Sequence, residues 1–284
     1  MSYKNMTAMG VVNKISRAVR RWKELKKEPL HLEFIVTDYC NLNCRGCTHY
    51  SPLARKEFVA IDELKRDMAH LGAVCGSEVE DVYLIGGETL LYPQLDEAMD
   101  ALRGSFPSQR LYVFTNGLIL GRMDDGFWES ARRNKAIIAI TRYPVKFDYD
   151  AVESLCAQEG VEVRVFGDRR QADTFFRFAL DPEGRQNKYV SHFKCYNRGC
   201  VSVVDGYVYP CSISACIKHL NRTGETKFEH RRGDRIAVGD VRSAAQIKRL
   251  RDHAVPFCSY CKNPPKTVAY GLSKREISEW VDKK

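Results

Sequence analysis

Between residues 31 and 166, short runs of apolar and β-branched residues alternate with stretches whose apolar positions recur every third or fourth place. His31–Thr37 (HLEFIVT), Val79–Ile85 (VEDVYLI), Leu111–Phe114 (LYVF), Ala136–Thr141 and Val161–Phe166 read as strands. Ile61, Leu64, Met68 and Leu71, and then Leu95, Ala98, Met99 and Leu102, stand at helical spacing. Shorter helices are expected near Gly126–Arg133 and over Tyr149–Gln158. A strand followed by a helix roughly every 25–30 residues predicts an α/β fold with a mostly parallel sheet and right-handed crossovers. Ligands collect at the carboxyl ends of the strands in such sheets. Cys40, Gly86, Asn116 and Arg142 all follow strands, so they are expected to share a pocket.

After Gly167 the alternation stops, and residues 168–190 read as a connection. Asp205-Gly206 between Val201–Val204 and Tyr207–Tyr209 predicts a hairpin, and Ala244–Asp252 a helix. Upstream, Val11, Ile15, Val19, Trp22 and Leu25 alternate with Lys and Arg, which predicts a basic amphipathic helix. The expected organisation is therefore a basic helix over 1–30, a core domain over 31–189 and a smaller domain over 190–284.

Composition narrows the class. Of 284 residues, 44% are apolar and 29% charged, an ordinary globular balance that excludes disorder. No uninterrupted apolar run reaches the length of a membrane span. Met1–Gly10 lacks the apolar core of a secretory signal, so a cytoplasmic location is expected. Net charge is 45 − 36 = +9, which suits an anionic partner. The 11 cysteines cluster, which in a reducing compartment points to metal or redox chemistry.

Cys40-Asn-Leu-Asn-Cys44-Arg-Gly-Cys47 places three thiols on the loop after the first strand. Three thiolates leave a tetrahedral zinc site one ligand short, which His49 could complete. They also suit a cubane cluster with one iron lacking a protein ligand.

This Cx3Cx2C loop resembles the signature of the radical SAM superfamily. Gly86-Gly87-Glu88 after the second strand is similar to the family's GGE motif, and Thr115-Asn116-Gly117 after the third to its TNG segment. The resemblance covers residues 31–167. It implies a partial (β/α)6 TIM-like barrel in which Cys40, Cys44 and Cys47 hold a [4Fe–4S] cluster and S-adenosylmethionine chelates the open iron. It also implies that Gly86, Gly87 and Glu88 receive the methionine amino group and that Thr115 and Asn116 approach the nucleoside. Arg142, after the fourth strand, is a candidate partner for the SAM carboxylate, with a surface or structural arginine the equal alternative. Gly46 stands where the family often has an aromatic residue, leaving Tyr39, His49 and Tyr50 as local candidates against the adenine. Thr89 replaces the usual proline after GGE.

Cys195, Gly206, Cys211 and Cys258-Ser-Tyr-Cys261 resemble the auxiliary-cluster domain called Twitch, a relative of SPASM. The resemblance implies a second [4Fe–4S] cluster on Cys195, Cys211, Cys258 and Cys261, with Cys200 able to replace Cys195; four thiolates also suit a structural zinc. Cys75 and Cys156 read as core thiols.

The implied reaction is radical abstraction of hydrogen from a polar small molecule, anionic or carbohydrate-like: a sugar, cyclitol or nucleotide-sugar. An external one-electron reductant of flavodoxin or ferredoxin type would supply the electron. The expected outcome is oxidation of an alcohol, with the auxiliary cluster as electron acceptor. The alternative is epimerisation with Cys200 or Cys216 as the catalytic hydrogen donor, or a peptide- or RNA-modifying relative. His49, Tyr50, Arg142, Arg169 and Arg170 are candidate substrate contacts. A different class, a zinc or cluster module binding nucleic acid, fits the basic charge, but no basic–aromatic RNA motif stands out. Neither nucleic acid nor membrane is the expected partner.

Overall fold

The computed structural model describes residues 28–166, 174–199 and 201–282. The basic helix expected within 1–30 lies almost wholly outside them, as do Arg169, Arg170 and Cys200. In chain order, β1 (Leu30–Thr37), α1 (Ile61–Cys75), β2 (Val79–Gly86), α2 (Leu95–Ser105), β3 (Arg110–Thr115), α3 (Asp125–Arg133), β4 (Ala136–Thr141), α4 (Tyr149–Gln158) and β5 (Glu162–Phe166) alternate as the pattern predicts.

Local chemistry sets the helix starts. The Asp124 carboxylate accepts the Phe127 N–H at 3.0 Å, and the Asp148 carboxylate accepts the Ala151 N–H at 3.0 Å, so each N-terminus has a side-chain cap. α1 buries Leu64, Met68, Leu71 and Cys75, and α2 buries Leu95, Ala98, Met99 and Leu102, the stripes that the spacing predicts. Cys75 and Cys156 are core thiols, at 1% and 0% exposure.

The sheet order is β5-β4-β3-β2-β1 followed by β7 (Val201–Val204), β8 (Tyr207–Tyr209) and β9 (Ile236–Ala237). β1 through β5 pair in parallel and wind in one direction. With right-handed crossovers, such winding sends every helix to the same face and makes the open wall of a partial barrel. β3 shows the two faces: Leu111 and Val113 join the main core, while Tyr112 and Phe114 pack with Tyr83, Ile137 and Ala139 on the other.

The sixth parallel strand is β7, which lies beside β1 rather than following β5. β1 is therefore central, flanked on both edges, and all of it but His31 is buried. Its Glu33 is buried because Ser202 of β7 donates a hydrogen bond to its carboxylate at 2.9 Å. Asp205 and Gly206 both have positive φ, 52° and 71°, and make the tight β7–β8 turn that the Asp-Gly pair predicts. One hydrophobic core runs from Leu32, Phe34 and Val113 into Val203, Phe257 and Trp280, so residues 31–189 and 190–284 share both sheet and core.

The stretch read as a connection contains β6 (Thr174–Arg177) and the start of α5 (Lys188–Phe193). β6 pairs antiparallel with β10 (Lys266–Ala269), far away in sequence, which is why no local pattern announced it. After β8 come α6 (Ser212–Ala215) and α7 (Lys218–Asn221), each too short for periodicity to reveal, and later α8 (Ala244–Asp252). Among the described residues, no helix is long and apolar enough to cross a membrane.

Candidate active site

The carboxyl ends of β1 to β4 meet around a cavity of about 210 Å³. Cys40, Cys44 and Cys47 line it together with Gly86, Gly87, Thr115 and Asn116. Ile85, Phe114, Tyr143 and Phe175 add apolar walls.

The glycines are there because the backbones nearly touch. A Cβ on Gly86 would stand 2.0 Å from the Thr37 carbonyl oxygen, and one on Gly87 2.4 Å from the carbonyl oxygens of both Asp38 and Tyr39. The closeness lets the β1–β2 ladder run past the strand ends: Gly87 N–H donates to Thr37 O at 2.8 Å, and Glu88 N–H to Tyr39 O at 2.9 Å. The GGE turn is thereby locked to the residues that enter the cysteine loop.

Glu88 is fully buried and is not part of the cavity lining. Its carboxylate accepts from Leu90 N–H at 3.0 Å, the Thr115 hydroxyl at 2.6 Å and Asn116 N–H at 2.8 Å. Burial pushes its pKa up, with these donors acting against the shift. Asn116 Nδ2 in turn donates to Asn41 Oδ1 at 2.7 Å, inside the cysteine loop. Glu88 thus ties the GGE and TNG turns together, and Asn116 ties both to the cluster loop. Glu88→Gln turns one acceptor into a donor facing another donor, and is expected to cost about 1–3 kcal/mol. Urea unfolding measures it; an unchanged midpoint would show that the carboxylate is not the shared acceptor.

The other expected residues are placed as follows. Arg142 donates to Asp150 at 2.9 Å and to Glu153, both on α4, while its neighbours Thr141 and Tyr143 line the cavity. Tyr50 is 2% exposed, packs on Trp280 and donates to Ile213 O, so it belongs to the core. Tyr39 is half-buried and contributes its backbone carbonyl to the GGE turn. His49 lines the cavity, and its Nδ1 lies 3.7 Å from the Cys216 sulfur, which is 0% exposed.

A second cavity, of about 30 Å³, is lined by Cys195, Cys211, Cys258 and Cys261 together. Burial pushes Cys258 up to about 11, and Cys195, Cys211 and Cys261 also upward, the neighbouring thiols adding to the shift in Cys211 and Cys261. In the loop, burial pushes Cys40 up to about 12 and Cys44 to about 11. Thiols so placed ionise readily only beside bound metal, so both donor sets are suited to holding metal as thiolates. Among the described residues, neither cysteine set brings three sulfurs within 4.8 Å of one another.

The residues that hold the loop from the far end of the chain had no signal in the sequence. Arg45 N–H donates to Gly271 O at 2.9 Å, Ser273 N–H to Asn43 O at 2.7 Å, and Trp280 Nε1–H to Cys47 O at 2.8 Å. Tyr270 places its hydroxyl 3.6 Å from the Cys44 sulfur.

A parallel α/β wall carries a three-cysteine loop locked to GGE and TNG turns at its strand ends. Residues 34–143, which run from the middle of β1 through β4 and include the loop and both turns, match the Radical SAM superfamily. That superfamily uses S-adenosylmethionine and one [4Fe–4S] cluster.

Among curated proteins, GTP 3',8-cyclase 1 of Mycobacterium tuberculosis is 28% identical over 123 residues, covering 41% of this chain and 33% of that protein. GTP 3',8-cyclase of Edwardsiella ictaluri is 35% identical over 105 residues, covering 36% of this chain and 31% of that protein. The chain thus spans about a third of the length of these relatives. Among solved structures, BtrN in complex with AdoMet and 2-DOIA aligns with a TM-score of 0.52 at 17% identity, covering 84% of this chain and 94% of that one. This likeness is one of fold, the α/β partial barrel.

Proposed function

We propose that the chain is a radical SAM oxidoreductase that dehydrogenates an alcohol on a polar small molecule of the sugar, cyclitol or nucleotide-sugar class. The observation that carries the reading is the second cysteine cavity: Cys195, Cys211, Cys258 and Cys261 line one buried space in the same hydrophobic unit as the radical SAM domain. The Twitch resemblance assigns these four to an auxiliary cluster and residues 190–284 to its domain.

Cys40, Cys44 and Cys47 would hold the first cluster. Gly86 and Gly87 let the GGE turn close onto the residues entering the cysteine loop, and Asn116 keeps the loop in register with the third strand. Ile85, Phe114, Tyr143 and Phe175 give the cavity apolar walls, which a carbon radical needs beside it. When bound, the two clusters and SAM supply a 5′-deoxyadenosyl radical that takes a hydrogen atom from the alcohol carbon, and an acceptor for the electron left after the hydroxyl proton departs. Full burial of Cys216 and its absence from the cavity lining favour oxidation over epimerisation through that thiol.

The test is anaerobic turnover with reductant, SAM and a panel of aminocyclitols, sugars, nucleotide-sugars and GTP. One 5′-deoxyadenosine per ketone formed is the expected result. Consumption of GTP alone would move the chain to the chemistry for which its curated relatives are named. Solvent deuterium at an inverted carbon would make it an epimerase.

A further inference from the structure

We propose that Asp38, His49 and Cys216 form a mononuclear zinc site, separate from both cysteine sets. Asp38 Oδ1 lies 3.4 Å from His49 Nδ1 and 3.3 Å from Cys216 Sγ. Cys216 Sγ lies 3.7 Å from His49 Nδ1, closing a triangle of one oxygen, one nitrogen and one sulfur. Bond lengths of about 2.0–2.2 Å to O and N and 2.3 Å to S, at the tetrahedral angle, predict edges of about 3.3–3.5 Å for O···N and 3.5–3.6 Å for edges to sulfur. The triangle therefore has the size of one face of a zinc tetrahedron.

A plain hydrogen-bond network accounts for it less well. A nitrogen and a carboxylate oxygen at 3.4 Å are beyond the usual 2.7–3.2 Å range. The same carboxylate makes a short bond elsewhere: Oδ2 accepts from His219 Nε2 at 2.7 Å. One oxygen of Asp38 is thus fully hydrogen-bonded, and the other is held at ligand spacing from two metal-binding atoms. A ligating carboxylate whose second oxygen is oriented by a neighbouring N–H donor is the usual outer-shell arrangement of metal sites.

Burial points the same way. Asp38, His49, Cys216 and His219 are 7%, 8%, 0% and 2% exposed. Lys218, the adjacent cation in sequence, is paired with Asp205 at 2.7 Å. The buried Asp38 carboxylate is already partnered by His219 at 2.7 Å; a divalent ion on its other oxygen would add to that compensation and hold Cys216 as a thiolate. The mixed O, N, S set selects zinc over magnesium or calcium, which prefer oxygen throughout. Three protein ligands leave the fourth position for water.

The placement explains what the ion would do. Asp38 precedes the cysteine loop, His49 follows it, and Cys216 comes from the C-cap of α6, just after Cys211. Zinc here staples both ends of the loop to the segment that carries the second cysteine set. It also makes Cys216 a ligand and removes it as a hydrogen donor.

The test reads metal rather than SAM cleavage. Full-length protein, purified anaerobically and supplied with iron, sulfide and zinc(II), is expected to carry about one zinc per chain beside its iron, since one triad binds one ion. Cys216→Ala should lose that zinc and keep its iron, while Cys75→Ala should keep both. Diffraction from wild-type crystals above and below the zinc absorption edge should give a peak between Asp38, His49 and Cys216, and this holds even if the variant fails to fold. Wild-type protein without zinc, zinc retained by Cys216→Ala, or a zinc peak confined to the cysteine sets would each overturn the site.

Discussion

Changing Cys40, Cys44 and Cys47 together to Ala is expected to remove about half of the bound iron and to abolish 5′-deoxyadenosine formation, since three thiolates are all the loop offers a cubane. The three line one cavity, whereas Cys195, Cys211, Cys258 and Cys261 line another, so the second half of the iron should survive. The fold should survive as well. Cys40 and Cys47 are only partly buried, and the loop is held by backbone hydrogen bonds to residues 271 and 273, which the change leaves intact. Iron analysis and chromatography of SAM cleavage products check both parts. Continued 5′-deoxyadenosine formation in the triple variant would remove the radical SAM chemistry from this loop.

Trp280→Ala is expected to be strongly damaging although the residue lies far from the cysteine loop in sequence. The side chain is 2% exposed, packs on Tyr50 at a ring separation of 6.0 Å and donates to the Cys47 carbonyl. Emptying such a site costs about 3–5 kcal/mol. The loss falls on the cysteine loop, so iron retention and SAM cleavage should drop with stability. Trp280→Phe keeps most of the packing and loses the N–H donor, which costs about 1 kcal/mol. Urea midpoints and iron content of the two variants separate packing from hydrogen bonding. If Trp280→Ala held its iron as wild type does, the C-terminal segment would not be the brace that its contacts describe.

The site was legible where its geometry follows from strand ends. Cys40, Gly86 and Thr115–Asn116 each come just after or at the end of a parallel strand, and parallel strands in register bring their carboxyl ends together whatever the loops do. Glu88 was read as a ligand contact, and the structure places its carboxylate on Thr115, Asn116 and Leu90. The motif alone cannot distinguish these uses, because an acceptor serves a backbone N–H and a ligand amine equally well. Arg142 likewise stands at a strand end, yet Asp150 and Glu153 on the following helix lie within its reach.

By itself the sequence determined the alternating strands and helices, the Asp-Gly hairpin, the helix faces and the cysteine loop, because each rests on spacing within a dozen or so residues. Only the tertiary structure decided that β7 would flank β1, that Trp280 and Ser273 would hold the cysteine loop, and that β6 would find β10. It alone brought Cys216 and His219 to Asp38. These are pairings between distant segments, fixed by which surfaces must leave water together, and no local period records them.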